Sequence, residues 1–136
     1  MKEIIKLEKI TKEYNHKLIL DQVGLSIYEG QSMVFTGHNG SGKSTLLKII
    51  SGLVKPSSGK VVYRDKLLFH YVPERFPKMN LTPWQYLKRM GQMDGIPPKI
   101  LAKRCEKLFS DFFLADMVNI PMKDLSKGTL QKIGVI

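Results

Sequence analysis

Near the N-terminus, apolar residues alternate with polar ones. Ile5 and Leu7, then Val23, Leu25 and Ile27, follow the period of two that predicts half-buried strands, paired antiparallel. Met33-Val34-Phe35 is instead a continuous apolar run, which predicts a strand buried on both faces and leading into Gly37. Beyond a glycine-rich stretch, Leu46, Leu47, Ile49 and Ile50 fit one face of a helix, with Gly52 as its C-terminal stop. Pro56-Ser57-Ser58-Gly59 is a turn cluster, and Val61–Tyr63 and Leu67–Val72 read as two more strands, the second ended by Pro73.

From Thr82 the pattern turns helical. Thr82-Pro83-Trp84-Gln85 places a capping threonine, a proline at the first helical position and a capping-box glutamine in order. Pro97-Pro98 breaks the chain, after which Leu101, Cys105, Leu108, Phe109 and Phe112 mark one face of a second helix. Residues 82–120 therefore form a helical subregion, and Cys105 lies on its apolar stripe, where packing explains it better than reactivity.

Composition adds bounds. With 136 residues, 43% of them hydrophobic and 25% charged, the chain has the size and balance of one globular domain. Its apolar runs are only a few residues long, far short of the roughly 20 that a membrane-spanning helix needs, and the Met-Lys-Glu start lacks a signal-type apolar segment. A single cysteine forms no internal disulfide and suits a reducing cytoplasm. The net charge of +10 suggests polyanion binding, yet residues 1–68 and 69–136 each carry 11 basic and 6 acidic side chains. An excess spread so evenly describes a solvated basic surface, and no nucleic-acid partner is expected.

The segment Gly37-His38-Asn39-Gly40-Ser41-Gly42-Lys43-Ser44 has the spacing G-x-x-x-x-G-K-[ST] and falls between an expected strand and an expected helix. Phosphate oxygens need several donors converging within about 3 Å, and only backbone freed of Cβ atoms, here at Gly40 and Gly42, wraps that closely. Amides from Asn39 onward then meet the positive end of the helix starting near Lys43. Lys43 brings a charge to the β and γ phosphates, Ser44 a hydroxyl for Mg²⁺, and Thr45 a donor for the α phosphate. A GTPase is disfavoured, since no Asn-Lys-x-Asp occurs and the Asp-x-x-Gly of Asp21–Gly24 precedes the loop.

The wording Gly-His-Asn-Gly-Ser-Gly-Lys-Ser-Thr-Leu-Leu, followed by Ile-Ser-Gly-Leu-Val-Lys-Pro-Ser-Ser-Gly, resembles the nucleotide-binding domain of ABC transporters, with His38 in place of the usual proline. The resemblance puts Tyr14 where an aromatic ring stacks on adenine. Leu125-Ser126-Lys127-Gly128-Thr129-Leu130-Gln131-Lys132 is similar to the signature segment, matching at Leu125, Ser126, Gly128 and Gln131 and departing at Lys127, Thr129 and Lys132. In the family this segment closes over the γ phosphate held by a second subunit; on its residues alone, Ser126 is also a plain helix cap. Tyr71-Val72-Pro73-Glu74 falls where the family has a Mg²⁺-sensing glutamine, and the resemblance makes Glu74 a candidate metal ligand.

The resemblance implies an α/β fold: a P-loop NTPase core with an incomplete parallel sheet, an N-terminal antiparallel β-subdomain and a helical subdomain. The implied divisions are 1–74 for β-subdomain and core, 75–124 for the helical part and 125–136 for the signature segment. It also implies ATP and Mg²⁺, a head-to-tail dimer, and an integral-membrane permease driven from the cytoplasmic face of the cell membrane. Cargo and direction lie largely with the permease. Two alternatives stay open: a binding module without turnover, and a soluble ABC-type protein acting on ribosomes or DNA. The family's acidic strand and switch histidine would follow Ile136, and no Asp or Glu occurs after Asp124, so these residues are expected to bind ATP with little hydrolysis. The acidic strand neighbours the phosphate-loop strand in the family, so a chain extended past Ile136 is expected to melt higher than residues 1–136 alone. Equal melting temperatures would contradict this.

Overall fold

The computed structural model describes residues 1–136. The chain divides into two compact units, Met1–Tyr71 and Val72–Ile136.

The first unit is built on an antiparallel sheet of β1 (Glu3–Tyr14), β2 (Lys17–Tyr28) and β3 (Ser58–Tyr63) in the order β2-β1-β3. Asn15 and His16, both at positive φ (48° and 62°), make the two-residue turn between β1 and β2, the geometry whose twist suits a hairpin. Simple alternation after Ile5 and Leu7 would turn Lys9 inward. Instead Lys9 takes a φ of 48°, the register shifts between Leu7 and Ile10, and Ile10 becomes the next core residue, fully buried. Helix α1 (Lys43–Ile50) contributes Leu46, Ile49 and Ile50 to the same core as Ile5, Leu7, Ile10 and Leu20. Each such side chain contributes roughly 1.5–3 kcal/mol. Leu47, off the i, i+3, i+4 stripe, is 43% exposed. Gly52 ends the helix as expected: at φ 75° its N–H donates to the Ile49 carbonyl, and Leu53 N–H donates to that of Lys48.

Two expected strands are not formed. Residues 31–37 and 67–72 make no ladder, with Val34 86% and Leu68 77% exposed, although Phe35 and Leu67 still lean on the core. A strand buried on both faces needs neighbours along both edges, and no other segment of residues 1–136 pairs with either run. The parallel ladder expected at Met33–Phe35 is therefore absent, and the sheet present is wholly antiparallel.

The second unit is helical: α2 (Pro83–Met93), α3 (Pro98–Asp111) and α4 (Lys127–Val135), with single 3₁₀ turns at Ala115–Met117 and Met122–Asp124. The capping box is complete. Thr82 Oγ1 accepts from Gln85 N–H, Gln85 Oε1 accepts from Thr82 N–H, and Pro83 occupies the first turn, where it loses no hydrogen bond. Leu101, Cys105 and Phe109, spaced i, i+4, i+8, are buried with Leu87, Leu114, Met122 and Ile133. Burial also pushes the Cys105 thiol up from its ordinary pKa, leaving it the inert core residue expected.

Gly59 sits at φ +83° where β3 meets β1, and a Cβ there would overlap the main-chain carbonyls of Glu8 and Lys9. Backbone cannot yield as a side chain does. Gly59→Ala is predicted to destabilise the first unit by about 2–4 kcal/mol, read as a lower denaturant midpoint at unchanged slope; an unchanged midpoint would contradict the close approach.

Candidate functional site

The candidate phosphate loop is assembled on the first unit's core. Gly42 is buried at φ +88°, and a Cβ on it would come within 2.8 Å of Leu20 Cδ2 and 3.0 Å of the Ile19 carbonyl. Only glycine both adopts that angle and lies that close to β2. Gly40, at φ +85°, faces open space, so its angle rather than crowding calls for glycine. Ser41 N–H donates to the His38 carbonyl at 3.2 Å, closing the turn.

Lys43 opens α1 and reaches back across the loop. Its Nζ donates to the carbonyls of Gly37 and His38, each at 2.8 Å, and lies 3.4 Å from Ser41 Oγ. The ammonium thus stands against the turn that it is expected to share with phosphate. His38 Nδ1 lies 2.9 Å from the Asn39 carbonyl; a carbonyl only accepts, so Nδ1 carries the hydrogen. Gly42 is the N-cap of α1, and no side chain caps the helix. Its first-turn amides, including those of Ser44 and Thr45, are therefore left for another acceptor. Ser44 is exposed and Thr45 partly so, while Gly37, His38, Asn39 and Gly40 all lie at the surface. The fit for a polyphosphate is good: left-handed glycines, an uncapped helix start and a flexible ammonium converge on one exposed turn.

Tyr14 ends β1 and is 45% exposed. Lys12, two residues earlier on the strand, places its Nζ 4.7 Å from the ring centroid. No motif marks Lys12 in the sequence; only the spacing of two residues on a strand, which puts side chains on one side, links it to Tyr14.

In the second unit, Ser126 is the N-cap of α4: its Oγ accepts from Thr129 N–H at 3.1 Å and lies 2.8 Å from Thr129 Oγ1. Leu125 is half-buried against the core of this unit, whereas Gly128 and Gln131 are exposed. A Cβ on Gly128 would meet nothing within 4 Å. Packing therefore gives no reason for a glycine in the first turn of α4.

Two of the departures from the family pattern, Glu74 and Lys127, meet each other. Lys127 Nζ donates to Glu74 Oε1 at 2.9 Å, with both side chains largely exposed. Glu74 and Lys127 also line a cleft of about 340 Å³ with Arg75, Lys78, Phe76 and Leu130. The hydrogen bond and charge of Lys127, then the charge of Arg75, hold the Glu74 carboxyl below its ordinary pKa. No spacing rule links residues so far apart in sequence, so this pairing was not legible before the structure.

The family model described as ABC transporter matches residues 20–136. An uncharacterised ABC transporter ATP-binding protein of Methanocaldococcus jannaschii is 32% identical across 100% of this chain and 52% of its own length. A zinc import ATP-binding protein, ZnuC of Pseudomonas fluorescens, is 29% identical across 96% of the chain and 48% of its own. The chain thus spans about half the length of these curated relatives. Among solved structures, an ATP-binding subunit of an ABC transporter superposes with a TM-score of 0.81 at 24% identity, covering 97% of this chain and 60% of the other. The cbiO1 protein of Clostridium perfringens, part of the cbiONQ complex, superposes at 0.70 with 20% identity, over 99% and 60%. These likenesses establish the α/β ABC ATPase fold.

Because its folded pKa is depressed, Glu74 adds stability above the ordinary glutamate range and loses it as pH falls through the lowered value. Lys127→Ala is predicted to raise the Glu74 pKa toward its ordinary value in a carboxyl NMR titration, and an unmoved titration would show that the pair does not persist in solution. The match over residues 20–136 and the M. jannaschii relative establish that this chain belongs to the ABC transporter family.

Proposed function

We propose that this chain is the nucleotide-binding part of an ABC transporter ATPase subunit and that it holds Mg·ATP on Gly37–Thr45. The observation that carries the reading is the loop itself, where Gly42 turns left-handed on β2 into an uncapped helix and Lys43 folds back over the turn. Gly37, His38, Asn39, Gly40, Ser41 and Gly42 supply main chain to the β phosphate, Lys43 adds charge toward the β and γ phosphates, and Thr45 donates to the α phosphate. Ser44 would hold Mg²⁺ through its hydroxyl, and the ion would supply positive charge against that of the phosphates. Tyr14 offers its ring to the adenine.

The signature segment Leu125, Ser126, Gly128 and Gln131 serves a second copy, head to tail, by presenting the start of α4 to that copy's γ phosphate. The unexplained glycine at 128 supports this, because a surface kept free of Cβ allows close approach. Lys127 takes up one oxygen of the Glu74 carboxylate, Oε1, and the other is left for the metal that Glu74 would help to hold. Within residues 1–136 no acid follows Asp124, and no base of this stretch is assigned to activating water; hydrolysis belongs to the complete ATPase domain. The partner is an integral-membrane permease, with the ATPase peripheral on the inner face of the cell membrane. No helix of this chain is long and apolar enough to cross it.

In calorimetry with Mg·ATP, Lys43→Ala is predicted to abolish most of the affinity, a loss of at least about tenfold, because it removes a charge-assisted contact to phosphate. Lys127→Gly should leave monomer affinity nearly intact, since Lys127 is not part of the phosphate loop. The reverse pattern would overturn the assignment.

A further inference from the structure

The end of β1 is fastened by more than its own ladder. Glu13 N–H donates to Ser57 Oγ at 3.0 Å, Ser57 N–H donates to the Thr11 carbonyl at 2.8 Å, and Lys12 Nζ donates to the Lys55 carbonyl at 3.0 Å. Residues 55–57 lie just past the end of α1, the helix that starts at the phosphate loop. The strand end that carries Tyr14 is therefore tied to the segment leaving that helix. Of the three ties, the one through Lys12 also touches the ring, with its ammonium 4.7 Å from the Tyr14 centroid. The turn at Asn15 and His16, both at positive φ, follows at once and leaves the strand little freedom to shift.

We propose that Lys12 is a positioning residue for base recognition. Anchored on the Lys55 carbonyl, it covers one face of the Tyr14 ring and leaves the other face to take a purine. A cation on one face draws π density through the ring, so the far face becomes a better partner for an electron-rich base such as adenine. The same ammonium prevents the half-exposed ring from rotating into solvent. This inference rests on the reading of Tyr14 as the base-stacking residue, and it adds to that reading a second side chain with a distinct task.

The test compares Mg·ATP with Mg·tripolyphosphate, which shares the phosphate contacts and lacks a base, by calorimetry on the wild-type chain and on Lys12→Met, Lys12→Arg, Tyr14→Ala and the Lys12→Met/Tyr14→Ala double variant. Lys12→Met keeps the length of the side chain and removes its charge. It is expected to weaken ATP binding about two- to fivefold, the fold-change matching an exposed cation–π contact, and to leave tripolyphosphate binding unchanged. Lys12→Arg should restore ATP binding, and the effect of Lys12→Met should vanish in the Tyr14→Ala background. Equal weakening of ATP and tripolyphosphate would overturn the proposal by making Lys12 a general attractor of phosphate. Loss of ATP affinity in Tyr14→Ala but none in Lys12→Met would overturn it while sparing the stacking reading. A Tyr14→Ala variant that keeps the wild-type preference for ATP over tripolyphosphate would remove both. Because Lys12 lies at the surface end of the strand, Lys12→Met is expected to melt with the wild type; a split between the two ligands is not a change that a purely structural role produces.

Discussion

The left-handed turn at Gly42 is the constraint on which the candidate site depends. Its Cα lies so close to Leu20 and the Ile19 carbonyl of β2 that no side chain fits, and its φ of +88° is one that other residues rarely adopt. That contact fixes where α1 begins. Leu46, Ile49 and Ile50 then carry the helix onto the core built by β1 and β2, so the amides at its start are held by packing rather than by the loop. A loop whose donors are preset in this way loses little freedom when an anion arrives.

Much of this was legible in the sequence because the signals are local. The glycine spacing, the helix face read at 46, 47, 49 and 50, of which only Leu47 stays outside the core, the stop at Gly52 and the capping box at Thr82 each depend on residues within one or two turns of one another. The hairpin strands were legible for the same reason, though the bulge at Lys9 was not, since a change of phase leaves only a charged residue where alternation calls for an apolar one. Residues 33–35 and 67–72 show the opposite limit. Their apolar character is real, but a strand exists only where another strand pairs with it, and composition says nothing about the neighbour.

The long-range polar pairs were the least legible part. Glu74 and Lys127 each depart from the family pattern, and read alone Glu74 is a candidate metal ligand and Lys127 has no assigned role; the structure joins them in one ion pair. The carboxylate of Glu3 likewise accepts from Ser26 Oγ and from the Arg64 guanidinium, which together hold it below its ordinary pKa. Such exposed pairs contribute little stability, because solvent screens them. Their effect is on where charge is held. At Lys127 that bears on the start of α4, the segment assigned to the second copy.

Nucleotide binding at this loop requires that the amides at the start of α1 meet the phosphates. Backbone amide NMR of the ¹⁵N-labelled chain, titrated with Mg·ATP, tests this directly. The predicted result is that the largest shifts fall on Gly40, Gly42, Lys43, Ser44 and Thr45 and saturate together. Saturable binding with those amides unmoved, or no binding at all, would contradict it.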